Sequence, residues 1–550
     1  MSRQYSGRKS RAFLLVATLG TATIWAGPSS AQALSPAQVY ADAVRLLDQS
    51  TFGANDALIG HVVQVGTQAF LNEQYAAPKS AYPVLKYVPA GQQATFCPTD
   101  PNPQCGRDYY SLFLLQNAFF TNALNGTDQL RQRVAFALSQ ILVTSGVTVN
   151  TAYGMSQYQQ IFLDNAFGNY EQILTRVTLS PVMGEYLNMV NNDKPAGTVN
   201  PNENYARELL QLFSLGVWQL NVDGSQKLDA AGAPMPTYGQ DEIEGFAHVF
   251  TGWTYPVLPG VAARTHNPKN YLGDMVPVDS NHDKGAKLLL GGVTLPAGGT
   301  IQADLTAAIH NVFMHPNVGP FISKQLIQKL VAGDPTPLYV SRVAAVFNNN
   351  GQGVRGDLKA VVNAILNDPE ARGYAKGDTA YGKLREPVLF IAAAARMLGA
   401  QSDGVYLAQQ TGQLGQPLFY PASVFNYYPP TYLLPDTANV APEFAIQNSS
   451  TAINRYNFAN TLSFGTIAPI TTLPGAIGTT PSWATLSGLA NDPNAMLDYL
   501  SAQMMHGTMS AEMRAAIAPA INAIPATNPQ SRAKTAFYLV VTAAEYQVER

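Results

Sequence analysis

The chain has 550 residues, of which 46% are hydrophobic and 13% charged, with a net charge of −3. That is ample apolar material for a large core, while a charged share about half the usual one leaves a surface that is largely neutral and polar. A slightly acidic balance with no basic stripe after the first dozen residues excludes a nucleic-acid partner, which needs clustered Lys and Arg to displace counterions.

The amino terminus carries Arg3, Arg8, Lys9 and Arg11, then an apolar run from Ala12 to Ala26, then Ala31-Gln32-Ala33. Basic, apolar and small-residue segments in this order read as a secretory signal over residues 1–33, cleaved after Ala33. Retention as an uncleaved anchor is the alternative. The run is too short and interrupted for a membrane span of about 20 residues, and no later stretch is longer and as apolar. A periplasmic or secreted protein is therefore expected.

Only two cysteines occur, Cys97 and Cys105, around a loop bearing Pro and Asn. In an oxidising compartment such a pair is expected to close into a disulfide, and without further thiols a metal or redox site has little support.

Apolar residues at helical spacing predict helices over Ala37–Asp48, Asp128–Val143, Tyr170–Leu179, Asn202–Leu215, Asp241–Trp253, Gly319–Val331, Tyr339–Asn348, Asp357–Leu366 and Arg532–Val548. Strand signals are few. Lys287–Leu290 and Val293–Leu295 around Gly291-Gly292 predict a small hairpin with a two-residue turn. Residues 221–239, with Asp223-Gly224 and Pro234, read as an inserted loop, and 464–483 as a Gly- and Pro-rich connection. With no repeat and no convincing boundary, the expectation is a mainly α, multi-helix single domain over residues 34–550 with one small β-hairpin.

Familiar active-site motifs are missing: there is no Gly-x-Ser-x-Gly elbow, His-Glu-x-x-His pair, phosphate-binding loop or EF-hand. Gly351, Gly353 and Gly356 have dinucleotide-loop spacing, but a helix rather than a strand precedes them, and Asp357 suits the N-cap of the next helix.

Chemistry-bearing residues concentrate in two places. On the helix predicted from Asn202, Tyr205, Leu209, Leu212 and Phe213 form an apolar face, while Glu203, Arg207, Gln211 and Ser214 form the polar one. Glu208 breaks the pattern by falling at the edge of the apolar arc, where a carboxylate must be paired or protonated. An ion pair with Arg131 or Arg133, a general acid or base, and a metal ligand are the open readings. Downstream, five of the seven histidines fall in one window: His248, His266, His282, His310 and His315. His248 lies on the polar side of its helix, four residues after Glu244, and reads as a surface residue. His282-Asp283 sits in a loop beside Lys284 and Lys287, and reads either as an acid–base or ligand pair or as a capped turn with an exposed imidazole. A divalent metal held by His282, Asp283 and Glu208, with His315 as a further ligand, has suitable donors if they converge. Glu208, His282 and Asp283 are thus the catalytic candidates, Glu203, Arg207 and Lys287 the substrate-binding ones.

Several segments together carry a family resemblance: PNENYARELLQLFSLGV, FAHVFTGW, NHDKGAKLLLGG, HPNVGPFISKQLIQKLV and GVRGDLKAVVNAIL, with LLDQSTFGA and QLRQRVAFALSQIL upstream and GKLREPVL and PASVFNYYPP downstream. In these motifs and their order the chain resembles the domain of unknown function 1800 family. The resemblance implies a secreted bacterial protein treated as one long domain, and no activity. Its motifs coincide with Glu203, Arg207, Glu208, His282, Asp283, Lys287 and His315. By analogy with gene neighbours of the family, it implies an exported partner of the domain of unknown function 1501 family. The 221–237 insertion looks longer than the family's usual connection, so the rim of any site differs here. Together these readings favour an exported hydrolase acting on an envelope or extracellular polymer, against a non-catalytic envelope or assembly protein.

Overall fold

The computed structural model describes residues 34–373 and 381–550, so the reading of residues 1–33 as a signal lies outside the described residues. The described residues hold 24 α-helices and four antiparallel pairs of two-residue strands. The fold is mainly α. Pro36–Arg550 pack as one compact unit around a continuous apolar core, and no described helix is long and apolar enough to cross a membrane.

Two helices run through the interior. Gln129–Ser139 is buried at nearly every position from Gln129 to Leu138 and packs against the helices Pro36–Ser50, Thr67–Ala76, Phe113–Asn125, Ala152–Asn165 and Val318–Leu330. Pro387–Met397 is buried from Pro387 through Arg396. A helix without a polar face can only sit in a core, and the Ala-rich run Ala392–Ala395 allows close approach.

Helix ends follow local chemistry. Asp357 accepts from the Ala360 N–H and caps Leu358–Asn367, so the three glycines before it belong to a turn. The helix predicted to Leu215 spans only Asn204–Gln211, because Leu215 and Gly216 fold back onto the Leu210 carbonyl, with Gly216 at φ 76°. The helix predicted to Trp253 is Gln240–Val249, followed by the left-handed Gly252. The last predicted helix divides into Pro529–Thr542 and Ala544–Gln547, after which Val548–Glu549 pairs with Lys383–Leu384 and returns the C-terminus to the interior. Asp128–Val143 shortens to Gln129–Ser139.

The 221–239 segment is not an irregular loop. Antiparallel bridges Trp218↔Pro236, Leu220↔Gln226 and Leu228↔Pro234 join three short segments into a β-ribbon. Its turns are closed by Asp223, which accepts from the Ser225 N–H, and Asp229, which accepts from Ala231 and Ala233. The hairpin pairs Lys287 with Leu295 and Leu288 with Thr294, but its turn is wider than two residues: Leu289 N–H reaches Val293 O across Leu290–Gly292.

Charge is also buried here. Asp48 binds Arg385 at 2.8 Å and His506 at 3.0 Å. Lys383 lies 3.2 Å from Glu443, and Glu386 accepts from Tyr428 at 2.8 Å and Gln416 at 2.5 Å. Burial lowers the Lys329 ammonium to about 8. Such a network is costly to bury and costlier to break, because removing one partner strands another charge. Cys97 and Cys105 are joined, closing the short loop between them.

Candidate functional site

The histidine window folds around the helix Gln240–Val249, which lies directly on the hairpin. Gly245 permits this contact: a Cβ there would be 1.8 Å from Leu288 O. Immediately after the helix, Gly252 turns the chain so closely that its Cβ position is 2.9 Å from the His282 nitrogen. Thr251 joins the two strands of chain: its hydroxyl donates to His248 O at 2.7 Å and accepts the Asp283 N–H at 2.9 Å.

His282 and Asp283, adjacent in sequence, therefore face different surroundings. His282 is fully buried, with Nδ1 2.9 Å from Thr251 O and Nε2 3.2 Å from Asp304 Oδ2. The same Asp304 oxygen takes the Lys287 ammonium at 2.8 Å, and Lys287 also donates to Asp283 O at 2.8 Å and Gly285 O at 3.0 Å. All three hydrogen-bonding directions of an ammonium are used. Lys287 is thus a buried ion-pair partner, which corrects its assignment as a substrate-binding cation, and His282 has no face open to a substrate.

Asp283 instead reaches outward and hydrogen-bonds His248 Nδ1, with side-chain exposures of 17% and 29%. Burial pushes the Asp283 carboxyl up, but the Gly285 N–H, His248 and Lys287 outweigh it and hold it below the usual carboxylate range. The His–Asp pair of this region is therefore His248–Asp283. Sequence spacing had matched His248 with Glu244, whose Oε1 in fact accepts from Gln240.

Glu208 is half-buried, and its Oε2 is enclosed with no hydrogen-bond partner. Burial raises its pKa, and the neighbouring Arg207 cation offsets only part of that. Tyr186 and Tyr238 lie near enough to feel its charge, each pushed up to about 12, first by their own burial. The expected pairing with Arg131 or Arg133 does not occur. Arg131 donates to Leu163 O, and Arg133 to Lys329 O inside the buried charge network. Arg207 binds Glu203 at 2.7 Å one turn earlier and remains 41% exposed, and Glu203 also accepts from Gln240.

The proposed metal ligands do not meet. Among the described residues no group of three or more His, Cys, Asp or Glu is arranged to hold a metal ion. His315 accepts the Asn317 N–H on Nδ1, and burial, with Lys227 and Arg355 nearby, lowers it to about 4. His266 pairs with Asp193, and His310 with Glu171, on the surface.

Sequence reasoning missed Asp304. Its signal was present: Ile301, Leu305, Ala308 and Val312 form an apolar stripe on one helix, and Asp304 interrupts it as Glu208 interrupts another.

A family model described as "Protein of unknown function (DUF1800)" matches residues 45–548. The chain belongs to this family. No curated protein and no solved structure matches it. Two of the segments that carry the resemblance, QLRQRVAFALSQIL and GKLREPVL, supply Arg133, Lys383, Arg385 and Glu386 to the buried charge network. A third, NHDKGAKLLLGG, supplies His282, Asp283 and Lys287.

Proposed function

We propose that this protein is an exported hydrolase of an envelope or extracellular polymer, with His248 as general base and Asp283 as the group that orients it. The observation that carries this reading is the part-buried, hydrogen-bonded His248–Asp283 pair, of which His248 keeps 29% of its side chain exposed. A carboxylate on Nδ1 fixes the imidazole tautomer and leaves Nε2 free to take a proton from an attacking water and return it to the leaving group. Asp283 stays ionised because its carboxyl is held low. Glu203 and Arg207, tied through Gln240 to the start of the helix that carries His248, offer a charged pair for a polar substrate group. A pair that reaches solvent outside any of the enclosed cavities suits a substrate too large to be enclosed, hence a polymer.

The test is product release, followed by mass spectrometry, from a panel of envelope glycans, cross-linked peptides and extracellular polyesters. His248→Ala should slow hydrolysis at least about 100-fold while melting at the same temperature. Absence of product from the whole panel, or an undiminished His248→Ala protein, overturns the reading.

One observation favours a non-catalytic envelope or assembly protein instead. His282, Lys287 and Asp304 satisfy one another completely, so a motif-bearing region is accounted for by folding alone. Specific capture of an exported protein of the domain of unknown function 1501 family by both wild-type and His248→Ala chains would support it.

A further inference from the structure

Away from the His248–Asp283 pair, a groove of about 470 Å³ runs along the helix Val318–Leu330. This is within the usual size of small-molecule sites, roughly 300–1,000 Å³, and like them it is mainly apolar with a few convergent polar groups. One wall comes from the end of the Asn204–Gln211 helix and the β-ribbon, with Trp218 at the rim; the other is the segment Phe425–Thr431; Phe321 lies on the floor. Trp218 and Phe425 are 39% and 47% exposed, an unusual cost for two aromatic side chains on one concave surface.

The walls are held in place by buried amides. Asn317, 1% exposed, donates to Leu215 O and Trp218 O and accepts the Leu220 N–H, pinning the ribbon to the start of the helix. Gln328 donates to Gly333 O and Pro430 O, both at 2.9 Å, and pins the opposite wall. A groove fixed on both sides does not need to form on binding, which reduces the ordering cost for a ligand.

Its polar groups are unbalanced. Lys324 makes no ion pair or hydrogen bond, and the Nε2 of Gln325 beside it is buried with no partner. No Asp or Glu lines the groove. A cation within apolar walls and without a counter-charge complements one anionic group attached to an apolar body.

We infer that the groove binds an amphiphile made of an apolar chain and a single carboxylate. The chain lies among Trp218, Phe321 and Phe425, and the carboxylate meets Lys324 Nζ. The ribbon builds the wall that carries Trp218.

Dodecanoate is the probe, with dodecanol as the uncharged control, each titrated into the full chain by calorimetry and by tryptophan fluorescence. Of the four tryptophans, Trp253 and Trp483 are buried and Trp25 lies among residues 1–33, outside the described residues; the fluorescence change assigned to the groove is the part that vanishes in Trp218→Phe, while the heat of binding persists. Dodecanoate should bind more tightly than dodecanol, and Lys324→Met should weaken dodecanoate at least about tenfold while leaving dodecanol unchanged. Lys324→Met and Phe425→Ala, both at partly exposed positions, should keep the wild-type melting temperature. Equal affinity for the acid and the alcohol overturns carboxylate recognition. Dodecanoate binding that is absent, or present but insensitive to both Lys324→Met and Phe425→Ala, overturns the site.

Discussion

His282 and His248 stand at the two ends of one hydrogen-bonded linkage through Thr251, yet their surroundings are opposite. His282 is sealed from solvent, both ring nitrogens are engaged, and its partner Asp304 is shared with a buried lysine. His248 is partly open, has one nitrogen on Asp283, and keeps the other unbonded. The difference teaches that a buried, completely satisfied charge set stabilises without reacting, whereas a half-satisfied pair at the surface retains a group able to exchange a proton.

The comparison is broken most severely at Asp304. Asp304→Ala leaves the Lys287 ammonium buried without its carboxylate and should cost about 3–5 kcal/mol, read as the shift in urea unfolding; a change below 1 kcal/mol means that the network is not holding the hairpin to the helix. Next in size is the Cys97–Cys105 pair. Replacing both with Ser should cost about 2–3 kcal/mol by loop-closure entropy, with a matching fall in melting temperature and no effect on the His248–Asp283 pair.

Glu208→Gln sharpens the contrast by pH. The folded-state pKa of Glu208 lies above its ordinary value of 4.5, so the folded state binds the proton more tightly than the unfolded chain. Its favourable contribution is full below about pH 4.5 and is lost as pH rises through the folded value. The Gln variant should therefore be more stable than wild type at pH 7, by less than about 1 kcal/mol once solvent screening is allowed for, with the advantage shrinking toward pH 4. A variant less stable at pH 7 would show that Glu208 is paired. The smallest effect is expected at His248→Ala, within about 0.5 kcal/mol of wild type by unfolding, the mirror image of Asp304→Ala.

How much of this was legible can be followed residue by residue. Helix phase placed Glu208 at the edge of an apolar face, and the structure finds it half-buried. The same reasoning applied to Ile301–Met314 would have found Asp304. What phase could not supply was partners: Glu208 was matched with Arg131 or Arg133, and His248 with Glu244, because sequence separation ranks contacts within one helix and says nothing about contacts between distant ones. Asp283 meets His248 only because Gly245 and Gly252 let the helix settle against the hairpin backbone.

The sequence by itself determined the mainly helical class, the family, the disulfide and most helix positions, because apolar periodicity, end-capping residues and a single cysteine pair act locally. Tertiary structure alone decided which charges are spent on stability and which are left exposed. It also turned the 221–239 segment from a presumed loop into the ribbon that walls a groove. Burial and hydrogen-bond satisfaction depend on what packs from elsewhere in the chain, and a side chain's own neighbours in sequence do not specify it.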